Sequence, residues 1–452
     1  MKYAPLTEAI ADLPNRLRFH MPGHKGKPLP YHIDISADLT ELADTDNLYE
    51  PVGAIAAAQQ AAAESAHAGH TIMLTNGATA GVITMLLYAV PPGGKVIMAR
   101  SAHHSAVSAC VLGNLRPVFV HEKRRPDGLI IPDDIPWLDA ISAHADASAA
   151  LVTSPTYDGI TTPLDRISTE AKRSGMRLLV DQAHGTHWNW WDKPADAGRC
   201  GASMWVQSAH KTLPVLGQGA WLHMAATEDP DRARSILRLT QTSSPSYLLM
   251  SSLDSARAWM DNNGAAALDR LIGMLPRELP VGLYDPRVGG GYAYDPTRIV
   301  FDVNVLGLTG FDASRQLAGM GVDIEAADDR RIILIATVAD EPEDFARLSH
   351  ALVNLRPAYS SKHAAFPPMP NILPETACTL REAAFAKRIS VPLSDSAGRV
   401  ASETFGAYPP GSPIVMPGEI IPGEAVEWMQ RMLSIGAGTF GVNHGVVSVM
   451  GV

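Results

Sequence analysis

From about residue 68 to residue 225, short apolar runs alternate with longer segments whose apolar positions recur at helical spacing. The runs at 95–99, 117–120, 149–153 and 177–181 are rich in Val, Leu and Ala and end at polar residues, Gly or Pro. Continuous apolar runs of this length predict strands buried on both faces. Strands that alternate with helices predict an α/β fold with a mostly parallel sheet covered on both sides. An alanine-rich stretch predicts a helix over 54–68, and the helical period over 251–275 predicts a helix bridging to a second unit. Beyond it, predicted strands at 298–305 and 331–337 alternate with predicted helices at 312–320 and 342–355. The Pro-rich stretch 366–374 reads as a linker into a last unit. The expected organisation is an N-terminal segment over 1–60, a large domain over 61–285, a small α/β domain over 286–365 and a C-terminal domain over 366–452.

Composition narrows the class. The chain has 452 residues, 46% of them hydrophobic, which supports cores of this number and size. A formal charge of −10 argues against broad binding to nucleic acid or anionic membrane. The three cysteines, Cys110, Cys200 and Cys378, are far apart and form no CxxC pair, so neither a disulfide framework nor a zinc knuckle is expected. A reducing cytoplasm is the natural setting. Residues 1–13 lack an apolar signal core, and the helical apolar stretch at 81–90 falls far short of the roughly 20 residues that span a bilayer. A soluble cytoplasmic enzyme is the expectation.

Two residues frame the candidate chemistry. Lys211 follows a predicted strand, which places it at the carboxyl-end crevice where ligands of open α/β sheets sit. A lysine that forms a Schiff base must transiently lose its proton, and partial desolvation favours that loss. A strand-end lysine is also a common surface residue, so Lys211 does not decide the matter alone. Asp181 closes the run 177–181, and a buried carboxylate is costly without a cationic partner. A protonated pyridine nitrogen is one such partner and would keep pyridoxal 5'-phosphate (PLP) electron-withdrawing; capping the next helix is the other use of such a residue. Room for one helix and one strand separates the two, so both can emerge at one sheet edge.

Gly77, Ala78 and Thr79 form a glycine-containing turn ahead of an apolar helix, a place where backbone N–H groups can meet a phosphate. Many helices begin this way without a ligand. His103 and His104 follow a strand and could offer an imidazole to a flat cofactor. His20 and His24 have the spacing of helical metal ligands, but Pro22 and Gly23 lie between them, and His184 and His187 lack the glutamate of a zincin motif. No metal site is expected.

Read in order, Phe19-His-Met-Pro-Gly-His-Lys-Gly, Asn76-Gly-Ala-Thr, Arg100-Ser-Ala-His-His-Ser, Ser154-Pro-Thr-Tyr-Asp-Gly, Asp181-Gln-Ala-His-Gly, Ser208-Ala-His-Lys-Thr, Tyr408-Pro-Pro-Gly-Ser-Pro and Met416-Pro-Gly-Glu cover nearly the whole chain. Together they resemble the bacterial Orn/Lys/Arg decarboxylase family, within the aspartate-aminotransferase-like PLP superfamily of fold type I. The resemblance implies a seven-stranded-type sheet, PLP held as a Schiff base on Lys211, and Asp181 paired with the pyridine nitrogen. It implies that His103 stacks on one ring face and Ala183 packs on the other. Gly77, Ala78, Thr79, Ser208 and His210 would surround the phosphate, with His184 near the ring hydroxyl or the substrate carboxylate. The implied reaction is decarboxylation of arginine, lysine or ornithine, in a homodimer or higher homo-oligomer. A cationic substrate needs acids or carbonyls at its far end. Asp44, Asp46 and Glu50 are candidates, although a solvated polar loop accounts for them equally well. Ala78 and Ala80 stand where the family usually carries hydroxyl residues, Gln182 where it often has Glu, and Trp188, Trp190 and Trp191 form an unusual cluster that either shapes the pocket or fills core. At this length, the N-terminal wing domain of the large decarboxylases is not expected. An aminotransferase, aldolase or other lyase on the same fold is the nearest alternative. A catalytically silent regulatory relative would have no chemical need of Lys211 and Asp181.

Overall fold

The computed structural model describes residues 16–451 apart from 33–37, 43, 121, 126, 193–195, 279–284, 289, 358–366 and 409–411. The boundary expected at 365–366 and the reading of residues 1–13 therefore lie outside the described residues. Strand β1 (Leu17–Phe19) opens the described chain, and helix α1 (Ala54–Ser65) leads into the large domain. There the apolar runs become β2 (His70–Leu74), β3 (Lys95–Ala99), β4 (Arg116–Val120), β5 (Ala147–Thr153), β6 (Arg177–Asp181), β7 (Met204–Gln207) and β8 (Ala220–Met224). The intervening helices are α2 (Gly77–Ala89), α3 (His104–Gly113), α4 (Ile135–Ala143), α5 (Leu164–Arg173) and the one-turn α6 (Ala209–Thr212).

The seven strands form one sheet in the order β2-β8-β7-β6-β5-β3-β4. Only β8 runs antiparallel to its neighbours; the other pairings are parallel. Alternate residues of each strand point to opposite faces. Leu179 and Val206 pack with Met85 and Leu86 of α2, whereas Leu178 and Val180 pack with Ile141 of α4 and Ile167 of α5. Cover on both faces is what makes the strands read as continuous apolar runs. The register then sets the site: Thr153 pairs with Asp181, and Asp181 with Val206, so β5, β6 and β7 end on one line. Because β8 returns antiparallel, its first residue, Ala220, pairs with Leu74 at the end of β2. The N-terminus of α2 therefore opens at the same edge as Lys211.

After α7 (Pro230–Leu237), the helix α8 (Tyr247–Glu278) runs for 32 residues. Its Met250, Leu253 and Met260 pack with Trp188 and Trp221 of the large domain, whereas Leu271 and Leu275 belong to the core of the small domain. The small domain comprises β9 (Arg298–Asp302), α9 (Gly310–Gly319), β10 (Val322–Ile324), β11 (Ala326–Ala327), β12 (Arg331–Ile335) and α10 (Pro342–Val353), with a sheet in the order β9-β12-β11. The strand expected over 298–305 stops at Asp302, whose carboxylate accepts from the Asn304 amide at 3.0 Å and opens a 3-10 turn over Val303–Leu306. β1 pairs in parallel with β10, and Phe19 lies 5.8 Å from Phe345 by ring centroids. Part of the expected N-terminal segment is thus built into the small domain.

The C-terminal unit contains α11 (Leu380–Phe385), β13 (Arg388–Pro392), β14 (Phe405–Tyr408), β15 (Pro413–Val415), α12 (Gly423–Ser434), β16 (Gly438–Phe440), β17 (Val442–Asn443) and β18 (Val446–Met450). Two three-stranded sheets, β13-β18-β17 and β15-β14-β16, share a core with Trp428 and Met429 of α12. Leu380 and Met416 reach into the core of the large domain. Arg100, just past β3, donates to both oxygens of Glu419 at 2.7 and 2.6 Å and so fastens the two units together. Among the described residues, no helix is long and apolar enough to cross a membrane.

Candidate active site

β7 is buried throughout, and the single turn of α6 lifts Lys211 from its end into the crevice. Asp181 closes the neighbouring strand and is 6% exposed, with Oδ1 accepting from the Ala183 amide at 3.1 Å. Burial pushes the Asp181 carboxyl up from its ordinary range, against the pull of Lys211 and the Ala183 amide. Burial likewise pushes the Lys211 amine down, against Asp181 and with Arg298 adding to the fall. Two opposite charges deprived of water are both drawn toward neutrality. The lysine gains nucleophilic character, and the carboxylate is left wanting a better cation.

His184 lies beside them. Its Nε2 is 3.2 Å from Lys211 Nζ, and its Nδ1 is bonded by Nη2 of Arg298, the first residue of β9. Burial, then Lys211 and Arg298, hold the imidazole well below its usual pKa. The Tyr157 ring meets His184 edge-on at 5.5 Å, and its hydroxyl donates to Glu325 Oε1 at 3.1 Å. The other Glu325 oxygen accepts from the Met21 amide, also at 3.1 Å. Met21 belongs to the Phe19-to-Gly26 signature, which ties α6 to the small domain. The Gly23 amide donates to the His210 carbonyl at 2.6 Å, and Thr337 donates to the Gly23 carbonyl at 2.8 Å. A Cβ on Gly23 would lie 2.3 Å from the Leu213 carbonyl oxygen, so only glycine permits this approach. Lys25 is buried, with Nζ bonded to the carbonyls of Ile335 at 2.6 Å and His20 at 3.2 Å.

At the other end of the crevice, Gly77 begins α2 at a φ of 71°, and the N-cap Asn76 makes no capping bond. The first-turn amides and the exposed Thr79 are therefore open to an anion. The Gln218 carbonyl approaches Gly77, and the next residue, Gly219, accepts from the His210 amide at 3.2 Å with the His210 ring 3.1 Å away. Ser208 is buried at the end of β7. His103 caps α3, its Nδ1 accepting from the Ser105 amide at 3.3 Å. Although exposed by area, His103 is crowded enough that desolvation, then His104 and Lys211, push its pKa down to about 4. The donor set fits PLP: an uncapped helix end for the phosphate, an under-partnered buried carboxylate for the pyridinium, and a desolvated amine for the aldehyde.

A family model described as Orn/Lys/Arg decarboxylase, major domain, matches residues 4–274, and that of the C-terminal domain matches 360–446. The chain belongs to the Orn/Lys/Arg decarboxylase family. It is therefore a PLP-dependent enzyme that decarboxylates a basic amino acid. Among curated relatives, it is 33% identical to an arginine decarboxylase of Bacillus subtilis over 93% of this chain and 91% of that protein. It is 34% identical to an arginine decarboxylase of Halalkalibacterium halodurans over 90% and 88%. The constitutive lysine decarboxylase of Escherichia coli superposes with a TM-score of 0.78 at 18% identity, over 92% of this chain and 75% of that one, a likeness of fold.

Within this Orn/Lys/Arg decarboxylase, the three acids expected at the substrate lie in different settings. Asp46 accepts amides of Asn47, Val52, Gly53, Ile55 and Ala56 ahead of α1, which outweigh its partial burial and hold its carboxyl at about 2. Glu50 pairs with Arg238 at 3.0 Å on the surface, and Asp44 is exposed. Trp188 is fully buried and donates to Asp295 at 3.3 Å, Trp191 is buried beside it, and Trp190 donates to Asp261 at 2.7 Å. The tryptophan cluster fills core against α8. Gln182 spans the loop that follows β6, donating to the Gly185 carbonyl at 3.2 Å and accepting from the Ala197 amide at 3.0 Å. Arg298, Tyr157, Glu325 and Lys25 were not singled out by the residue pattern. Tyr157 and Lys25 sit inside quoted motifs; Arg298 merely opens a strand, and no local signal marks it.

Proposed function

We propose that this protein decarboxylates arginine, with PLP held by Lys211. The observation that carries the PLP chemistry is the meeting of Lys211, Asp181 and His184 at one sheet edge. Arginine is favoured over lysine or ornithine because four near-full-length relatives at 30–34% identity are named arginine decarboxylases, whereas relatives named lysine decarboxylases match at 23–25% over about half the chain. When bound, PLP supplies the electron sink for the pair released as the Cα–carboxylate bond breaks. Asp181 keeps the pyridine nitrogen protonated by charge pairing. Gly77, Ala78 and Thr79 bind the phosphate through the end of α2, joined by Ser208 and His210. Because Ala78 has no hydroxyl, backbone amides carry more of that contact. His103 would cover one ring face and Ala183 the other, and His184 would hydrogen-bond at the reacting end. Our candidates for the distal guanidinium are Glu325 and Asp158, two carboxylates in the electrostatic neighbourhood of Arg298. A cytoplasmic homo-oligomer completes the reading.

Mass spectrometry of products from PLP-loaded enzyme and a panel of amino acids tests the proposal, with Lys211→Ala as control. Loss of carbon dioxide from arginine in preference to lysine and ornithine, absent in the variant, supports it. Preference for another member of the panel overturns the substrate assignment. Transamination or retro-aldol cleavage without decarboxylation overturns the reaction.

A further inference from the structure

His184 sits between two cationic side chains, and its hydrogen bonds define its protonation more tightly than its sequence position suggests. A guanidinium carries only donors. The ring nitrogen that Arg298 bonds, Nδ1, must therefore present a lone pair. A neutral imidazole bears one proton, which is then on Nε2, and Nε2 is the atom that faces Lys211 Nζ at 3.2 Å. To receive an N–H from Nε2, Nζ must itself offer a lone pair, which an ammonium lacks. One directed contact on the far side of the ring thus selects the neutral amine, the form needed for attack on a carbonyl.

We infer that Arg298 is a positioning residue that locks His184 in the Nε2–H tautomer, so that His184 meets Lys211 as a hydrogen-bond donor and not as an imidazolium.

Three further observations support the lock. Arg298 is 3% exposed, and its Nη1 has no hydrogen-bond partner among the described residues, so the bond to His184 is a main anchor of the guanidinium. The stem of Arg298 is steered by Gly159, where a Cβ would lie 2.6 Å from Cβ of Arg298 and 2.9 Å from its Cγ. The groups around His184 also oppose a second proton: Lys211 and His210 from α6, Arg298 from β9 and His103 from the loop after β3 all lower its basicity. Tyr157, from the loop after β5, presents a ring edge, and its hydroxyl is turned to Glu325. Among the described residues, no carboxylate bonds the His184 ring. His187, three residues on, has the opposite setting, with Nε2 2.9 Å from the Asp295 carboxylate.

The inference rests on Lys211 as the reacting amine, but its test reads His184 directly and needs no turnover. Protein labelled with 15N-histidine is compared with His184→Gln to assign the ring nitrogens, with and without PLP. A proton on Nε2 and a bare Nδ1, unchanged between about pH 5 and pH 8, is the expected result. Arg298→Met releases the lock, and the ring then exchanges tautomers or titrates within that range. Arg298→Lys retains a donor-only cation and restores the wild-type pattern. A wild-type ring protonated on Nδ1, or one that becomes an imidazolium in that interval, overturns the inference. If Arg298→Met does not fold, the wild-type pH series and Arg298→Lys still decide. Choosing the wrong amino acid substrate would leave this spectrum untouched, so the two conclusions fail separately.

Discussion

Replacing Arg100 with methionine cuts a buried link between the large and C-terminal units. The guanidinium donates to both oxygens of Glu419 and to the carbonyls of Pro413 at 3.2 Å and Ile414 at 3.1 Å. The two side chains are only 12% and 6% exposed. A surface pair would contribute less than about 1 kcal/mol, but removing one member of a buried pair strands the other and costs about 3–5 kcal/mol. After the substitution, the Glu419 carboxylate retains only the Met416 amide, at 2.7 Å, among its described partners. All the acceptors belong to the C-terminal unit, so the loss appears first as undocking. Hydrogen exchange followed by mass spectrometry should show protection over 413–421 falling by roughly a hundredfold or more, at about tenfold per 1.4 kcal/mol, while the strands of the large domain hold. Glu419→Gln added to the same protein should recover part of the loss, because a neutral amide needs no cation. Unchanged exchange over 413–421, or a cost under about 1 kcal/mol in denaturant, would refute the reasoning.

Other perturbations probe the site and its supports. Asp181→Asn keeps the shape but removes the charge, and should lower kcat/KM by about a hundredfold or more with weaker PLP binding; a titration and kinetics that match wild type would contradict the role given to Asp181. Gly23→Ala forces a Cβ against the Leu213 carbonyl and shifts the turn bearing Lys211, and a displacement near 1 Å can cost about a hundredfold in rate; activity that survives with unchanged Tm would show that the approach is not constraining. The Asp46 and Asp295 carboxyls are held at about 2, below the ordinary aspartate range. For Asp295, burial opposes ionisation, but His187 and Thr297 prevail. A depressed folded pKa stabilises above the unfolded value and is lost as pH falls through the folded one. Urea midpoints should therefore fall steeply from near pH 4 toward pH 2, and Asp295→Asn should flatten that slope; a parallel curve counts against the pairing.

The large-domain sheet was legible because burial on both faces leaves uninterrupted apolar runs, and the strands at 95–99 and 177–181 fall where those runs predict. The 3-10 turn after Asp302 was not, because its apolar residues continue the strand pattern and only the side-chain cap breaks it. Lys211 and Asp181 could be read from their strand-end positions. Arg298 could not, since its partner lies 114 residues away in the chain and no periodicity encodes that contact. Asp46 misled for a simple reason: an acid ahead of a helix serves backbone amides as readily as a ligand.

The pairing of β1 with β10 also has a consequence during synthesis. Leu17 leaves the ribosome about 300 residues before Val322, the residue it must meet. At about 5–20 residues per second, that interval lasts roughly 15–60 s. Throughout it, a strand carrying the apolar Leu17 and Phe19 has no sheet to join, while the large domain can already form from its own contiguous segments. The newborn chain thus carries an unpaired segment past a folded body, and chaperone dependence should concentrate in residues 16–20 and be relieved once β10 emerges.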